Sequence, residues 1–233
     1  MDKSKLQQLR LSKKQAKAQR RRAVNQKHEI VRFLIVCEGT KTEPNYFKAL
    51  IKDRYSAIRE VTIEGEGRTT VALVKETKNI KEREEKNSDL KFDRIWVVFD
   101  QDDKPDFNAA IQLAKKLKFK SAWTNEAFEL WYILHFQYLD TGITRKAYIE
   151  KLEGIIRSKL GIKEYIYEKN DEQFYHLLQK IGGDEEMAKK YARKLRKKYR
   201  GTDFSSFKPC TQVDLLVDEL ENTDKVLEEI NNS

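Results

Sequence analysis

Three carboxylates stand where a parallel sheet concentrates its chemistry. Asp100 and Asp102 follow directly on the apolar run 95–99 (IWVVF), and Glu38 closes the run 33–37 (FLIVC). Carboxylate oxygens are hard donors. Two acids at one strand end and a third at another therefore suit an oxygen-seeking divalent cation, Mg2+ or Mn2+. Side chains two residues apart on a strand point the same way, which predicts a shared direction for Asp100 and Asp102. Asp103 adds charge beside them. Glu129 interrupts the apolar stretch 128–136, so it is paired, exposed at a helix edge or liganding, and it is a further candidate for the metal. Taken singly, each acid has an ordinary explanation, since turns use Asp for their own hydrogen bonds. Two acidic strand ends in one sheet are what point to a metal site. Asp100 and Asp102 would hold the cation, and Glu38, ending a separate buried strand, would face the same spot.

Those acids need strands to hold them. Runs at 30–37, 61–64, 95–99 and 119–123 read as strands, the first and third with the unbroken apolar character of strands buried on both faces. A helix opens near Thr42, an expected cap, with Pro44 in its first turn. Another spans about 70–84, and a third, capped by Asp106, carries Ala110, Leu113, Ala114 and Leu117. Alternation of strand and helix predicts an α/β fold, a mainly parallel sheet flanked by helices, with ligands at the carboxyl ends of the strands. Glu38 and Asp100 fall there. Beyond residue 123 the chain reads as helical, at 128–136 and then at about 143–159, 171–181, 185–200 and 209–220. The expected organisation is a basic arm over 1–31, an α/β domain over 32–140 and a helical C-terminal region over 141–233 packed on it.

The chain has 233 residues and a net charge of +9. Residues 1–32 hold 11 Lys or Arg against Asp2 and Glu29, so the whole excess lies in the arm, densest at Arg20, Arg21 and Arg22. Such an arm either binds polyanions by counterion release, without reading sequence, or is a solvated tail. A second basic surface is expected on the helix near 185–200. Lys189, Lys190, Arg193 and Lys197 lie there, opposite the apolar stripe Ala188, Tyr191, Ala192, Leu195 and Tyr199. Lys41, near a helix start, and Arg68, in the loop 65–68, are further phosphate candidates, although Lys41 reads equally as an exposed first-turn lysine. Cys37 and Cys210 are far apart and form no ligand pattern with His28, His135 and His176, so structural zinc is not expected. His135 reads as a core or helix-end histidine. Without a signal-peptide apolar region or a run of bilayer length, a cytoplasmic location is expected.

Four segments carry a resemblance. VCEGTKTEPNYF at 36–47, VVFDQDD at 97–103, TNEAFELWYILHF at 124–136 and KPCTQVDLLVDEL at 208–220 resemble, in the same order, the motifs of the RloB-like family, AbiLii-like proteins assigned to the Toprim superfamily. The resemblance covers about 32–220. It implies a Toprim-like domain in which a Glu ends the first strand and Asp-x-Asp ends the third, and the matching positions are Glu38, Asp100 and Asp102. It further implies a metal-dependent nuclease acting on DNA or RNA, transfer RNA included, in an anti-phage or abortive-infection system with an RloA-like ATPase partner. The chain departs from the family at Asn125-Glu126-Ala127, where Asn-Pro-Cys or Asn-Pro-Ser is usual, and in the loop 65–68, which is poorer in Gly. The alternative is a non-catalytic adaptor that binds metal and nucleic acid. The apolar C-terminal helices could hold a homodimer.

Overall fold

Strands β1 (Arg32–Cys37) and β3 (Arg94–Asp100) form the middle of a five-stranded sheet, and their side chains are buried almost throughout. The computed structural model describes residues 31–55, 60–65, 70–88 and 90–232; Arg20, Arg21, Arg22 and Arg68 lie outside them. β2 (Glu60–Gly65) and β4 (Lys120–Asn125) complete the parallel part, and the strand order is β2-β1-β3-β4-β5. The connecting helices are α1 (Thr42–Arg54), α2 (Thr70–Ser88) and α3 (Phe107–Lys116). The expected mixed α/β fold, a mostly parallel sheet flanked by helices, is therefore what the chain adopts.

Strand alternation divides the core in two. Phe33, Ile35, Cys37, Trp96 and Val98 face α1 and the C-terminal helices, while Leu34, Val36, Val97 and Phe99 face α2 and α3. Each large side chain buried this way contributes roughly 1.5–3 kcal/mol. That burial holds the carboxyl ends of β1 and β3 in fixed register, with Cys37 opposite Val98.

Among the described residues four α-helices follow β4 before the chain rejoins the sheet: α4 (Glu129–Leu134), α5 (Arg145–Leu160), α6 (Phe174–Lys180) and α7 (Glu185–Arg196). The segment read as helix over 209–220 begins differently. Cys210–Thr211 form β5, antiparallel to β4, with the Thr124 and Thr211 hydroxyls 2.9 Å apart, and α8 starts only at Val213. Pro209 precedes the strand and the ladder to β4 holds it extended, a tertiary cause with no local sequence signal. α8 (Val213–Glu221) and α9 (Thr223–Asn231) end the described chain. Among the described residues no helix is long and apolar enough to cross a membrane.

Two expected caps act elsewhere. Lys41, not Thr42, takes the N-cap position of α1, and the Thr42 hydroxyl donates to the carbonyl of Lys169 at 3.1 Å. Asp106 takes the N-cap position of α3, but its carboxylate accepts from the Thr70 hydroxyl and from the Val71 N–H at 3.1 Å. It thus serves the first turn of α2, whose orphan N–H groups need acceptors. By contrast, the Thr144 hydroxyl caps α5 through the Ala147 N–H at 3.3 Å, and Gly161 at φ +68° ends that helix.

Candidate active site

Glu38, Asp100 and Asp102 converge on one open pocket of about 300 Å3 at the carboxyl edge of the sheet. The Glu38 N–H still pairs with the Val98 carbonyl at 2.8 Å, which carries the ladder one residue past β1. The Glu38 carboxylate then accepts from the Asp100 N–H at 3.2 Å, so the two strand ends are tied directly. Asp100 is 6 % exposed, and its carboxylate accepts from the Phe128 N–H at 3.1 Å.

Asp102 arrives by a route that alternation does not describe. The strand stops at Asp100, and Asp102 and Asp103 take positive φ of 40° and 57°. Asp tolerates this left-handed region better than most residues. The turn sends Asp102 into the pocket. Asp103 is exposed, does not line the pocket, and donates its N–H to the Gln101 side chain at 3.0 Å.

The pocket contains residues that sequence reasoning missed. Arg145, the first residue of α5, forks across the acids, with Nη2 2.9 Å from Asp100 and Nη1 3.0 Å from Asp102. Its N–H donates to Glu126 at 3.1 Å, and Glu126 is also paired with Lys208. Lys104 pairs with Glu38. Glu43, in the first turn of α1, folds back over Gly39 so closely that a Cβ at that position would collide with its carboxylate. Gly65 keeps β2 equally near, since a Cβ there would come within 2.8 Å of the Gly39 carbonyl and of Thr40. Arg145 and Lys104 are 45 and 66 residues away from their partners. No local spacing reveals pairs of that kind.

Glu129 does line the pocket and is 2 % exposed, with Lys169 4.0 Å away. Burial, and next the charge of Glu43, raise the Asp100 carboxyl well above the usual range, while Arg145 opposes them. Burial, helped by Glu129 and Glu38, pushes Glu43 up to about 7. Burial by itself would lower the Arg145 guanidinium, yet Asp100 and Asp102 raise it. Protons and protein cations together keep this group of acids tolerable away from bulk water.

The donor set fits a hard divalent cation in kind, because five carboxylates and no thiol or imidazole line the pocket. Among the described residues, no three acids stand around one point ready to hold an ion. Asp100 and Asp102 are engaged instead with Arg145, and Glu38 with Lys104.

Lys41 is exposed at the pocket mouth. The expected basic helix is α7, and there one position is corrected. Lys189 does not face outward; it is 1 % exposed and sits among Glu185, Glu186, Asp218 and Glu221, because α8 packs along that side. Lys190, Arg193 and Lys197 are exposed and line a separate groove. His135 closes α4 as a buried core residue, its Nδ1 2.9 Å from the Trp131 carbonyl, and burial lowers it to about 4.

The family model for RloB-like proteins matches residues 33–220. No curated protein and no solved structure matches the chain.

Proposed function

The chain belongs to the RloB-like family, which is generally linked to phage defence, and on that premise we propose that it is a metal-dependent nuclease of Toprim type, cutting DNA or RNA as a defence effector beside an ATPase partner. One observation carries the reading: two acidic strand ends meet in a single open pocket that also has cations at its mouth. Carboxylates so placed are the donors that phosphoryl chemistry uses for Mg2+ or Mn2+.

Asp100, Asp102 and Glu38 would hold the ion, which when bound supplies positive charge to a phosphate oxygen. The Phe128 N–H fixes the orientation of Asp100. Lys41 and Lys169 line the pocket and would meet the phosphate backbone. Glu43, beside the ion's ligands, is the carboxylate placed to handle a proton. Glu43, pushed up to about 7, exchanges its proton near neutral pH, where general acid–base catalysis is most effective.

A second reading, a non-catalytic adaptor, draws support from the pairing of all three acids with protein cations. Cleavage separates the two. The full chain, with and without an RloA-like ATPase as the proposed partner, is incubated with plasmid DNA and transfer RNA in Mg2+ or Mn2+. Cleavage should appear, and Asp100→Ala and Glu38→Ala should each lower it by roughly two orders of magnitude or more. Activity surviving both substitutions would remove the site assignment. Binding without cleavage under every condition would favour the adaptor.

A further inference from the structure

Arg145 reaches the strand-end acids from the helical half of the chain and occupies the side of Asp100 and Asp102 that faces the pocket. Its fork uses one oxygen of each carboxylate, Oδ2 in both cases. A divalent cation bound by those oxygens sits at about 2.1 Å from them. The guanidinium nitrogens lie 2.9 and 3.0 Å from the same atoms, so ion and guanidinium would overlap. They would also repel, one positive charge against two at contact distance in a partly buried site.

Two further features mark the seat as one the arginine can leave. Its Nε is buried and has no hydrogen-bond partner among the described residues, so the fork is bought with an unsatisfied donor. The side chain is 29 % exposed, which leaves a path outward along the pocket wall. The backbone, in contrast, is anchored by the bond from the Arg145 N–H to Glu126 and by the Thr144 cap. A long, flexible side chain on a fixed stem can move its head group without moving the helix.

We propose that Arg145 is a displaceable counter-cation that occupies the Asp100–Asp102 pair and sets its affinity for a divalent ion. It keeps the two carboxylates neutralised and aligned until an ion takes its place, and it weakens ion binding in doing so. The inference rests on the metal-dependent reading above, and its failure can be told apart from the failure of that reading.

The experiment is a Mn2+ titration of the full chain at about pH 8, followed by the paramagnetic resonance of free Mn2+, on the parent protein, Arg145→Gln and Arg145→Lys. Arg145→Gln should bind Mn2+ roughly tenfold more tightly than the parent. Arg145→Lys keeps the charge but reaches one carboxylate at a time, and should fall between them. Should Arg145→Gln not fold, the gain in Arg145→Lys carries the test. A matching readout is thermal: Mn2+ should raise the melting temperature of a variant more than that of the parent. Equal or weaker binding in the variants, with Mn2+ bound to the parent, overturns the role of Arg145 and leaves the metal site standing. No Mn2+ bound to any of the three proteins overturns both.

Discussion

Glu43 lies in the first turn of α1, packed on Gly39, with Glu129, Glu38 and Asp100 as its charged neighbours. An acid in a first turn has an ordinary reason to be there, the positive end of the helix dipole. Nothing about the residue type announces a buried carboxylate. Its raised pKa makes a stability claim. The folded state binds the proton more tightly than the unfolded chain, so Glu43 supports the fold below about pH 4.5 and that support is lost as pH rises to about 7. In protein stripped of divalent ions, Glu43→Gln should flatten this part of the pH–stability curve. Above pH 7 it should be more stable than the parent by on the order of 2 kcal/mol. Parallel curves for the two proteins would mean that Glu43 titrates as an ordinary surface acid.

At the scale of elements, α7 shows how far periodicity reaches. Ala188, Ala192 and Leu195 are buried as three- and four-residue spacing predicts. The spacing also put Lys189 on the wet side, and there the packing of α8 decided otherwise; Arg196 is drawn to α8 as well. Arg196 grips Asp214 with both terminal nitrogens, one of them 2.7 Å from Oδ2, and also donates to the Thr211 carbonyl at 3.0 Å. The Asp214 side chain is fully buried. Removing Asp214 leaves the partly buried Arg196 guanidinium without its partner, so Asp214→Ala should cost about 2 kcal/mol in urea denaturation. A loss below about 1 kcal/mol would show that the pair is solvated in solution.

For the whole molecule, the distribution of charge matters more than its sum. The excess sits in the N-terminal arm, yet the described body keeps a local basic surface where Lys190, Arg193, Lys194 and Lys197 line a groove of about 680 Å3. Lys194 lies 3.9 Å from the ring centre of Tyr138, and Lys198 pairs with Asp140 at 2.8 Å. The groove therefore adjoins the segment that leads to Arg145 and the pocket. The triple substitution Lys190→Glu, Arg193→Glu, Lys197→Glu should leave the melting temperature nearly unchanged, because these side chains are exposed. If the groove meets phosphates, the salt dependence of duplex binding should flatten by roughly 2–3 in log–log slope. An unchanged slope would assign the face to solvent.

Residue order alone determined the alternation of strand and helix, the buried runs of β1 and β3, and the placing of Glu38 and Asp100 at strand ends. Each of these follows from local periodicity and from the rule that parallel sheets expose their carboxyl edge. Only the tertiary structure decided the rest. The left-handed turn at Asp102 replaced simple alternation, β5 returned to the sheet from the far end of the chain, and Lys189 was enclosed by a helix that follows it. Glu38, Asp100, Asp102 and Glu129 were legible as pocket acids, but Glu43, Arg145 and Lys104 were not, and Asp103 was placed there wrongly. A charge pair across many residues leaves no spacing to read; it exists only once the core has fixed where both stems emerge.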